Sequence, residues 1–142
     1  MTTGAPPFQT VAALIADDQG RVLLVRKRGS AFFIHPGGKR EPGEAALQTL
    51  ARELREELGV ALRPGSAQLL GHFEERAANE PGRRVRAEVY VAQVDGTPAP
   101  GSEIEELRWL PPQPPFGVPV APLSEGHVLP AWRAWSEGLG RA

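Results

Sequence analysis

Cysteine is absent from this 142-residue chain. Disulfide bonds, thiolate metal sites and cysteine nucleophiles are therefore excluded. Long apolar runs are absent too, because no stretch approaches the ~18 consecutive apolar residues of a membrane span. Residues 1–9 lack the charged segment and the apolar run of a signal peptide. From these absences we expect a cytoplasmic protein with no membrane partner.

A dominant charge of either sign is also missing. Sixteen Lys and Arg side chains stand against 17 Asp and Glu, which leaves a net charge of -1. Such a chain has no overall positive field to attract a nucleic-acid polymer, so we do not expect one as a partner. Any anionic ligand must be held by a local arrangement of residues. The length and the ordinary composition predict one globular domain over residues 1–142.

Short apolar runs predict a series of strands. They lie at residues 11–16, 21–28, 32–35, 68–73, 85–94 and 107–110. The first two are separated by turn residues at 17–20, and we expect them to pair through a tight turn. The third is expected to stop at Pro36-Gly37-Gly38.

A second class of element is expected near the end of the chain. A helix is predicted from Ser124, with Pro130 either kinking it or marking its start. Before it, residues 111–122 contain six prolines and are predicted to be an extended connection, whose role the sequence leaves open. Strands and helices in this order predict an α/β fold with a mixed sheet and helices packed on it.

Residues 44–58 change to the period of a helix. Apolar residues recur there at three- and four-residue spacing, at Leu47, Leu50, Ala51, Leu54 and Leu58. This spacing predicts one buried stripe along an amphipathic helix. Gly59 follows at the position where a left-handed residue commonly ends a helix.

Three glutamates, Glu53, Glu56 and Glu57, flank this stripe at like-charged (i, i+3) and (i, i+4) spacings. Each such pair costs an isolated helix roughly 0.2–0.5 kcal/mol. One interpretation is a solvated acidic face that Arg52 and Arg55 partly neutralise. The other is a divalent cation on the carboxylates, because hard oxygen ligands suit Mg²⁺ and Mn²⁺. The helix alone does not decide between them.

The flanking sequence does decide. Gly38 is followed by five residues, Glu44, seven residues and then Arg52-Glu53-Leu54-Arg55-Glu56-Glu57-Leu58-Gly59-Val60. At typical residue frequencies a chance match to this pattern is on the order of one in ten million. Residues 38–60 resemble the Nudix box, and the chain is similar to MutT-like members of the Nudix hydrolase family. The runs at 23–26 and 107–109 resemble the usual surroundings of that box.

The resemblance implies an α/β/α sandwich in which a strand-loop-helix unit carries the catalytic site. It implies that Mg²⁺ or Mn²⁺ is bound by the carbonyl of Gly37 and by three carboxylates; these are Glu53, Glu56 and Glu57. Arg52 is then expected to orient Glu53, a role that suits its guanidinium fork. Gly38, Glu44 and Gly59 are expected to support the loop and the ends of the helix.

By the same resemblance, water attacks a phosphorus atom of a bridged diphosphate. Glu53 is the first choice for the carboxylate that accepts the proton. Glu103 is the alternative, Glu105 and Glu106 compete with it, and a merely solvated acidic loop is equally compatible with the sequence. The number of metal ions is left open.

Four further residues have two interpretations each. Arg26 and Lys39 are expected to bind phosphate, or else to be a solvated strand-end charge and a partner of a neighbouring glutamate. His35 is more readily interpreted as a hydrogen-bonded structural residue than as a residue facing the cleft. Asn79 either reaches the substrate or belongs to a turn.

Resemblance to the family leaves the substrate broad. Longer signs that accompany NADH, coenzyme A, dinucleoside polyphosphate or ADP-ribose substrates are absent after Val60. This favours a (deoxy)nucleoside triphosphate pyrophosphohydrolase that releases a nucleoside monophosphate and pyrophosphate. The alternatives are an ADP-ribose or nucleotide-sugar pyrophosphatase and a non-catalytic Nudix-fold nucleotide-binding module. Both a monomer and a homodimer are compatible with the sequence.

Overall fold

The computed structural model describes residues 6–140, which form strands and two helices. The strands are β1 Phe8–Leu14, β2 Val22–Lys27, β3 Phe33–Ile34, β4 Gly37–Lys39, β5 Ala61–Leu62, β6 Gln68–Arg76, β7 Arg84–Val91, β8 Val94–Asp95 and β9 Ile104–Leu110. Helix α1 spans Ala46–Leu58, and helix α2 spans Leu129–Gly140 after one turn of π-helix at Ser124–Val128. No helix in this range is long and apolar enough to cross a membrane.

The strands form two main sheets and one short pair. The larger sheet has the order β4-β1-β7-β6, in which β1 and β7 are parallel and the other pairs are antiparallel. The smaller sheet has the order β3-β2-β9, and β5 pairs with β8. The predicted mixed sheet is confirmed.

The predicted pairing of the first two strands is correct only at their turn. The carboxylate of Asp17 accepts hydrogen bonds from the backbone N–H groups of Gln19 and Arg21, and Leu23 donates to Ile15 at 2.9 Å. Beyond the turn the strands diverge, since β1 enters the larger sheet and β2 the smaller one. Turn chemistry is local, whereas the choice of sheet depends on distant partners.

The third strand, β3, ends before Pro36 as expected, but the sequence missed that Gly37–Lys39 begins a new edge strand, β4, antiparallel to β1. Gly37 has φ 152°, and a Cβ atom there would overlap the carbonyl of Val11. Glycine thus permits the two backbones to approach closely, and the residues that resemble a turn in the sequence belong to a strand.

Charged cross-strand pairs extend two strands beyond their apolar runs. β6 continues to Arg76 rather than ending at residue 73, and in this region Glu74 accepts hydrogen bonds from Arg84 and Arg86 of β7. β9 begins at Ile104 rather than at residue 107, and its Glu106 pairs with Arg26 of β2. Such pairs stabilise a sheet without contributing to the apolar pattern.

Helix α1 begins two residues later than predicted and ends where predicted. Gly59 has φ 68° and donates its N–H to the carbonyl of Arg55. Leu50, Leu54 and Leu58 are fully buried. Leu47 is 42% exposed, which corrects its assignment to the buried stripe: it shares their angular face but lies in the first turn, before the buried stretch begins.

The apolar side chains pack in two clusters, one on each side of the strands. On one side α1 packs against Val11 and Ala13 of β1 and against Ile15, which follows the strand. On the other side, residues at the start of α2 pack against Ala12 and Leu14 of the same strand. Alternate residues of β1 therefore face opposite helices, and the predicted α/β/α layering is confirmed.

We predict that Leu54→Ala lowers the free energy of unfolding by about 2–5 kcal/mol, because it removes a fully buried side chain from the cluster under α1. Leu47→Ala is the matched control, since it is the same substitution on an exposed leucine of the same helix. Urea denaturation measures both. Equal losses for the two variants would show that the packing of α1 is not as described.

Candidate active site

A cavity of about 500 Å³ lies beside β4, β1 and β7. Short side chains of the larger sheet line one part of it, among them Thr10, Ala12 and Ala87. Charged side chains line it as well, among them Lys27, Lys39, Glu53, Glu57 and Glu103. The cavity therefore combines room for an uncharged ring with many charged groups, which is typical of a small-molecule site.

Glu53 is held by the close approach of α1 to β4. A Cβ atom at Gly38 would overlap the Glu53 carboxylate, so the carboxylate keeps this position only while residue 38 is glycine. The guanidinium of Arg52 donates a hydrogen bond to Glu53 Oε2 at 3.1 Å. Burial raises the pKa of the Glu53 carboxyl above its ordinary value, against the opposing effect of Arg52.

Glu57 is the most enclosed carboxylate of the cavity, with 5% of its surface exposed. Its Oε1 accepts a hydrogen bond from the backbone N–H of Gly37 at 3.1 Å. Burial raises the pKa of this carboxyl to about 7, and the nearby charges of Glu53 and Glu103 act in the same direction. The protein thus holds an acidic group in a place where its charge is poorly solvated.

These groups fit a divalent cation in their chemistry, although they do not converge on a single point. Within residues 6–140 no three His or acidic side chains form a group that could hold a metal ion. Glu56 has a side chain that is 52% exposed and is bonded to Arg52 at 3.4 Å. A rotation of this exposed side chain would bring a third carboxylate towards Glu53 and Glu57. The hard oxygen donors and the desolvated charge of Glu57 both suit a divalent cation.

Glu44 acts on this site from outside the cavity lining. Its two carboxylate oxygens accept hydrogen bonds from Arg52, from Nε at 2.7 Å and Nη2 at 2.9 Å, and Thr49 adds a third at 2.8 Å. The bonds from Arg52 lower the pKa of Glu44 to about 2. Arg52 also donates to the carbonyl of Lys39. These hydrogen bonds connect the loop before α1 to Arg52, the arginine that contacts Glu53.

The three acidic residues expected in a late loop have different surroundings, since Glu103 precedes β9 and the other two, Glu105 and Glu106, lie in that strand. Glu103 lines the cavity, and the backbone beside it is held by the bond from Gly101 N–H to the carbonyl of Glu57 at 2.8 Å. Glu105 lies 3.5 Å from Arg28. Glu106 pairs with arginines on the smaller sheet. Of the three, the structure brings only Glu103 into the cavity lining.

The two predicted phosphate-binding residues lie in different places. Arg26 is outside the cavity lining, and its guanidinium bonds to Glu106 and to the carbonyl of Ser30. Its neighbour Lys27 lines the cavity instead. Strand alternation accounts for this, because Lys27 lies on the same face of β2 as Leu23 and Val25, which pack against α1. Lys39 lines the cavity, with its ammonium 4.1 Å from the ring centre of Phe8.

His35 departs from its expected structural role. It is 6% exposed and lines the cavity. Neither ring nitrogen has a hydrogen-bond partner among residues 6–140. Within that range the interpretation of His35 as a hydrogen-bonded structural residue is therefore wrong. Burial lowers the pKa of His35 to about 3, which leaves the ring neutral. Asn79 also lines the cavity, and its Oδ1 accepts a hydrogen bond from Ser30.

Known proteins are similar to this chain over most of its length. The family model of the NUDIX domain matches residues 6–129. A CTP pyrophosphohydrolase of Escherichia coli is 33% identical over 120 residues, which are 81% of this chain and 84% of the relative. An RNA pyrophosphohydrolase of Halorhodospira halophila is 43% identical over 61 residues, and this chain covers only 33% of that relative. The solution structure of the E. coli ORF135 protein has a TM-score of 0.72 at 30% identity, covering 91% of this chain and 90% of that one.

We predict that Glu57→Gln makes the protein more stable at and above neutral pH when metal is removed by a chelator. The carboxyl pKa is about 7 in the folded protein and ordinarily 4.5, so the folded state binds an extra proton between these values. The parent's free energy of unfolding therefore falls as pH rises through that window. The variant lacks this loss, and the difference should reach about 3 kcal/mol above the window and vanish below it.

Urea denaturation at several pH values between about 4 and 8 measures this difference. Glu56→Gln, on a half-exposed side chain of the same helical turn, is the matched control. A stability difference for Glu57→Gln that stays constant with pH would contradict the account of a buried, poorly solvated carboxylate.

Proposed function

Because this chain belongs to the Nudix hydrolase family, we propose that it hydrolyses (deoxy)nucleoside triphosphates to a nucleoside monophosphate and pyrophosphate. The general activity of its relatives, without regard to the particular substrate, is that of a Nudix pyrophosphohydrolase. One observation carries the proposal of this substrate: Glu53 and Glu57 line a cavity that is large enough for a nucleoside.

The lining of the cavity supports a triphosphate as the ligand. Lys27 and Lys39 line the same cavity as the glutamates and offer positive charge to phosphate oxygens. Short side chains of β1 and β7 leave room for a base and a sugar. Similarity to a CTP pyrophosphohydrolase over 81% of the chain makes CTP the first substrate to test.

Members of this family generally use divalent metal ions. In this chain Glu53, Glu57 and, after rotation, Glu56 are the residues that would hold Mg²⁺ or Mn²⁺, and the carbonyl of Gly37 stays a proposed fourth donor. When bound, such an ion neutralises phosphate charge and makes an attacking water more acidic.

We assign proton acceptance from the attacking water to Glu53. Its carboxylate cannot swing freely, because the backbone of Gly38 lies on one side and Arg52 holds one oxygen. Burial raises its pKa, which makes it a better proton acceptor than an exposed carboxylate. Glu103 stays the alternative, since it lines the same cavity.

A second candidate substrate is RNA that carries a 5′-triphosphate. The support is the relative named an RNA pyrophosphohydrolase, which is 43% identical over 61 residues. The phosphoanhydride is the same as in a free nucleotide, so the two substrates differ only in the RNA chain attached to the first nucleoside. ADP-ribose and nucleotide sugars stay alternatives, and the cytoplasmic location and the oligomeric state stay predictions.

We predict that, in the presence of Mg²⁺, the protein releases pyrophosphate from nucleoside triphosphates faster than it cleaves ADP-ribose, a nucleotide sugar or 5′-triphosphate RNA. Chromatography of the products identifies the bond that is cleaved. Glu53→Gln should lower kcat at least about 100-fold while the protein still unfolds cooperatively from a folded state, because it removes the proposed base. Glu103→Gln is the matched variant, and a larger loss of kcat for it would transfer the assignment to Glu103. Preference for ADP-ribose would overturn the proposed substrate.

We also predict that Gly38→Ala lowers kcat by at least about tenfold, because the added Cβ displaces the Glu53 carboxylate. Gly138→Ala on α2 is the control, since a Cβ there meets no atom within 4 Å. Steady-state kinetics and thermal unfolding are measured on both. Wild-type kcat in Gly38→Ala would contradict the described contact between Gly38 and Glu53.

A further inference from the structure

His35 is a buried polar group that the free protein leaves without a partner. It lies between β3 and β4, is 6% exposed, and lines the cavity. Among residues 6–140 both ring nitrogens lack a hydrogen-bond partner. A buried donor or acceptor left unpaired is destabilising, so a group of this kind in a cavity wall is expected to meet its partner in a ligand.

The segment around His35 is rigidly placed. Phe33 donates its backbone N–H to Pro119 at 2.9 Å and accepts from Ala121 at 3.0 Å. On the other side of His35, the carbonyl of Pro36 accepts from Ala13 of β1 at 2.9 Å. The backbone is therefore fixed both before and after His35, whereas no hydrogen bond among residues 6–140 holds its ring. Both ring nitrogens are buried in the free protein, so contact with a ligand requires the ring to rotate towards the cavity that His35 lines.

The surroundings of His35 favour an uncharged group as its partner. The ring is neutral, so it offers one donor and one acceptor and no positive charge for a phosphate. Ala121 and Leu123, at the end of the proline-rich segment and just after it, line the same cavity, together with the short side chains of β1 and β7. A flat ring with polar edges fits such a wall, and in a nucleotide that group is the base.

We propose that His35 is a specificity-determining residue that hydrogen-bonds to an edge of the nucleobase through a ring nitrogen. The proposal rests on the proposed function, since it takes the ligand to be a nucleotide. It assigns to His35 the discrimination among bases, and it leaves phosphate binding and proton transfer to the residues described above. A site with a buried polar group discriminates strongly against ligands that leave that group unpaired.

The test compares three variants with the parent protein on CTP, UTP, ATP and GTP. His35→Leu removes both ring nitrogens, and His35→Gln keeps a donor and an acceptor in the side chain. His127→Leu is the matched control, because this histidine bonds to Glu75 and does not line the cavity. For each protein kcat/KM is measured on all four nucleotides, together with the thermal midpoint of the free protein.

His35→Leu should lower kcat/KM for the preferred base about tenfold and affect the poorer bases less, so that the four values converge. His35→Gln should restore part of the preference, and His127→Leu should leave it unchanged. The thermal midpoint of His35→Leu should equal or exceed that of the parent, because no hydrogen bond is lost in the free protein. An equal loss of kcat/KM on all four nucleotides would overturn the proposal, as would an unchanged ratio among them.

The contact could be to the sugar rather than to the base, and ribo- and deoxyribonucleotides separate these cases. A loss in His35→Leu that appears only with a ribose hydroxyl would overturn the assignment to the base. If the parent hydrolyses none of the four nucleotides, the proposed function fails, and calorimetric titration with the four monophosphates then tests His35 by itself. Absence of base-dependent binding in that titration would end the His35 proposal as well.

Discussion

The contact between the Glu53 carboxylate and the backbone of Gly38 is the constraint on which the site depends. It brings helix α1 against edge strand β4, and any side chain at position 38 would displace the carboxylate. A neighbouring glycine, Gly37, allows β4 to approach β1 closely and gives its N–H to Glu57. Two adjacent glycines therefore set the position of two carboxylates relative to the sheet.

Several carboxylates on one turn of a helix repel one another, and this repulsion must be offset by positive charge or by hydrogen bonds. Arg52 supplies part of this charge, since its guanidinium contacts Glu53 and Glu56 while Glu44 and the carbonyl of Lys39 hold it in place. Glu57 accepts one hydrogen bond from a backbone N–H, and the pKa of its carboxyl is raised because this bond does not fully offset burial. The protein folds with this arrangement, but the positive charge near these carboxylates does not balance their negative charge. A divalent cation and its phosphate ligands suit that state.

The cavity also shows how sequence signals can be correct in kind and wrong in position. The sequence predicts a basic residue for phosphate at the end of β2, and one is present in the cavity lining, but it is Lys27 rather than Arg26, because Lys27 is on the face of β2 that packs against α1. Likewise it predicts an acidic residue from the late loop, and Glu103 is the one that lines the cavity. The loop from residue 99 is held by the carbonyls at the end of α1, a contact between segments about 40 residues apart in the chain.

The sequence by itself determined the helix, its acidic turn, the glycine that ends it and the family, because each depends on spacing within about 25 neighbouring residues. Tertiary structure alone decided which side chains share the cavity. That Gly37–Lys39 is a strand, that Leu47 is exposed and that His35 has no partner among residues 6–140 all depend on which distant segments meet. Hydrogen bonding and burial depend on the contacts between those segments, and no local sequence pattern encodes them.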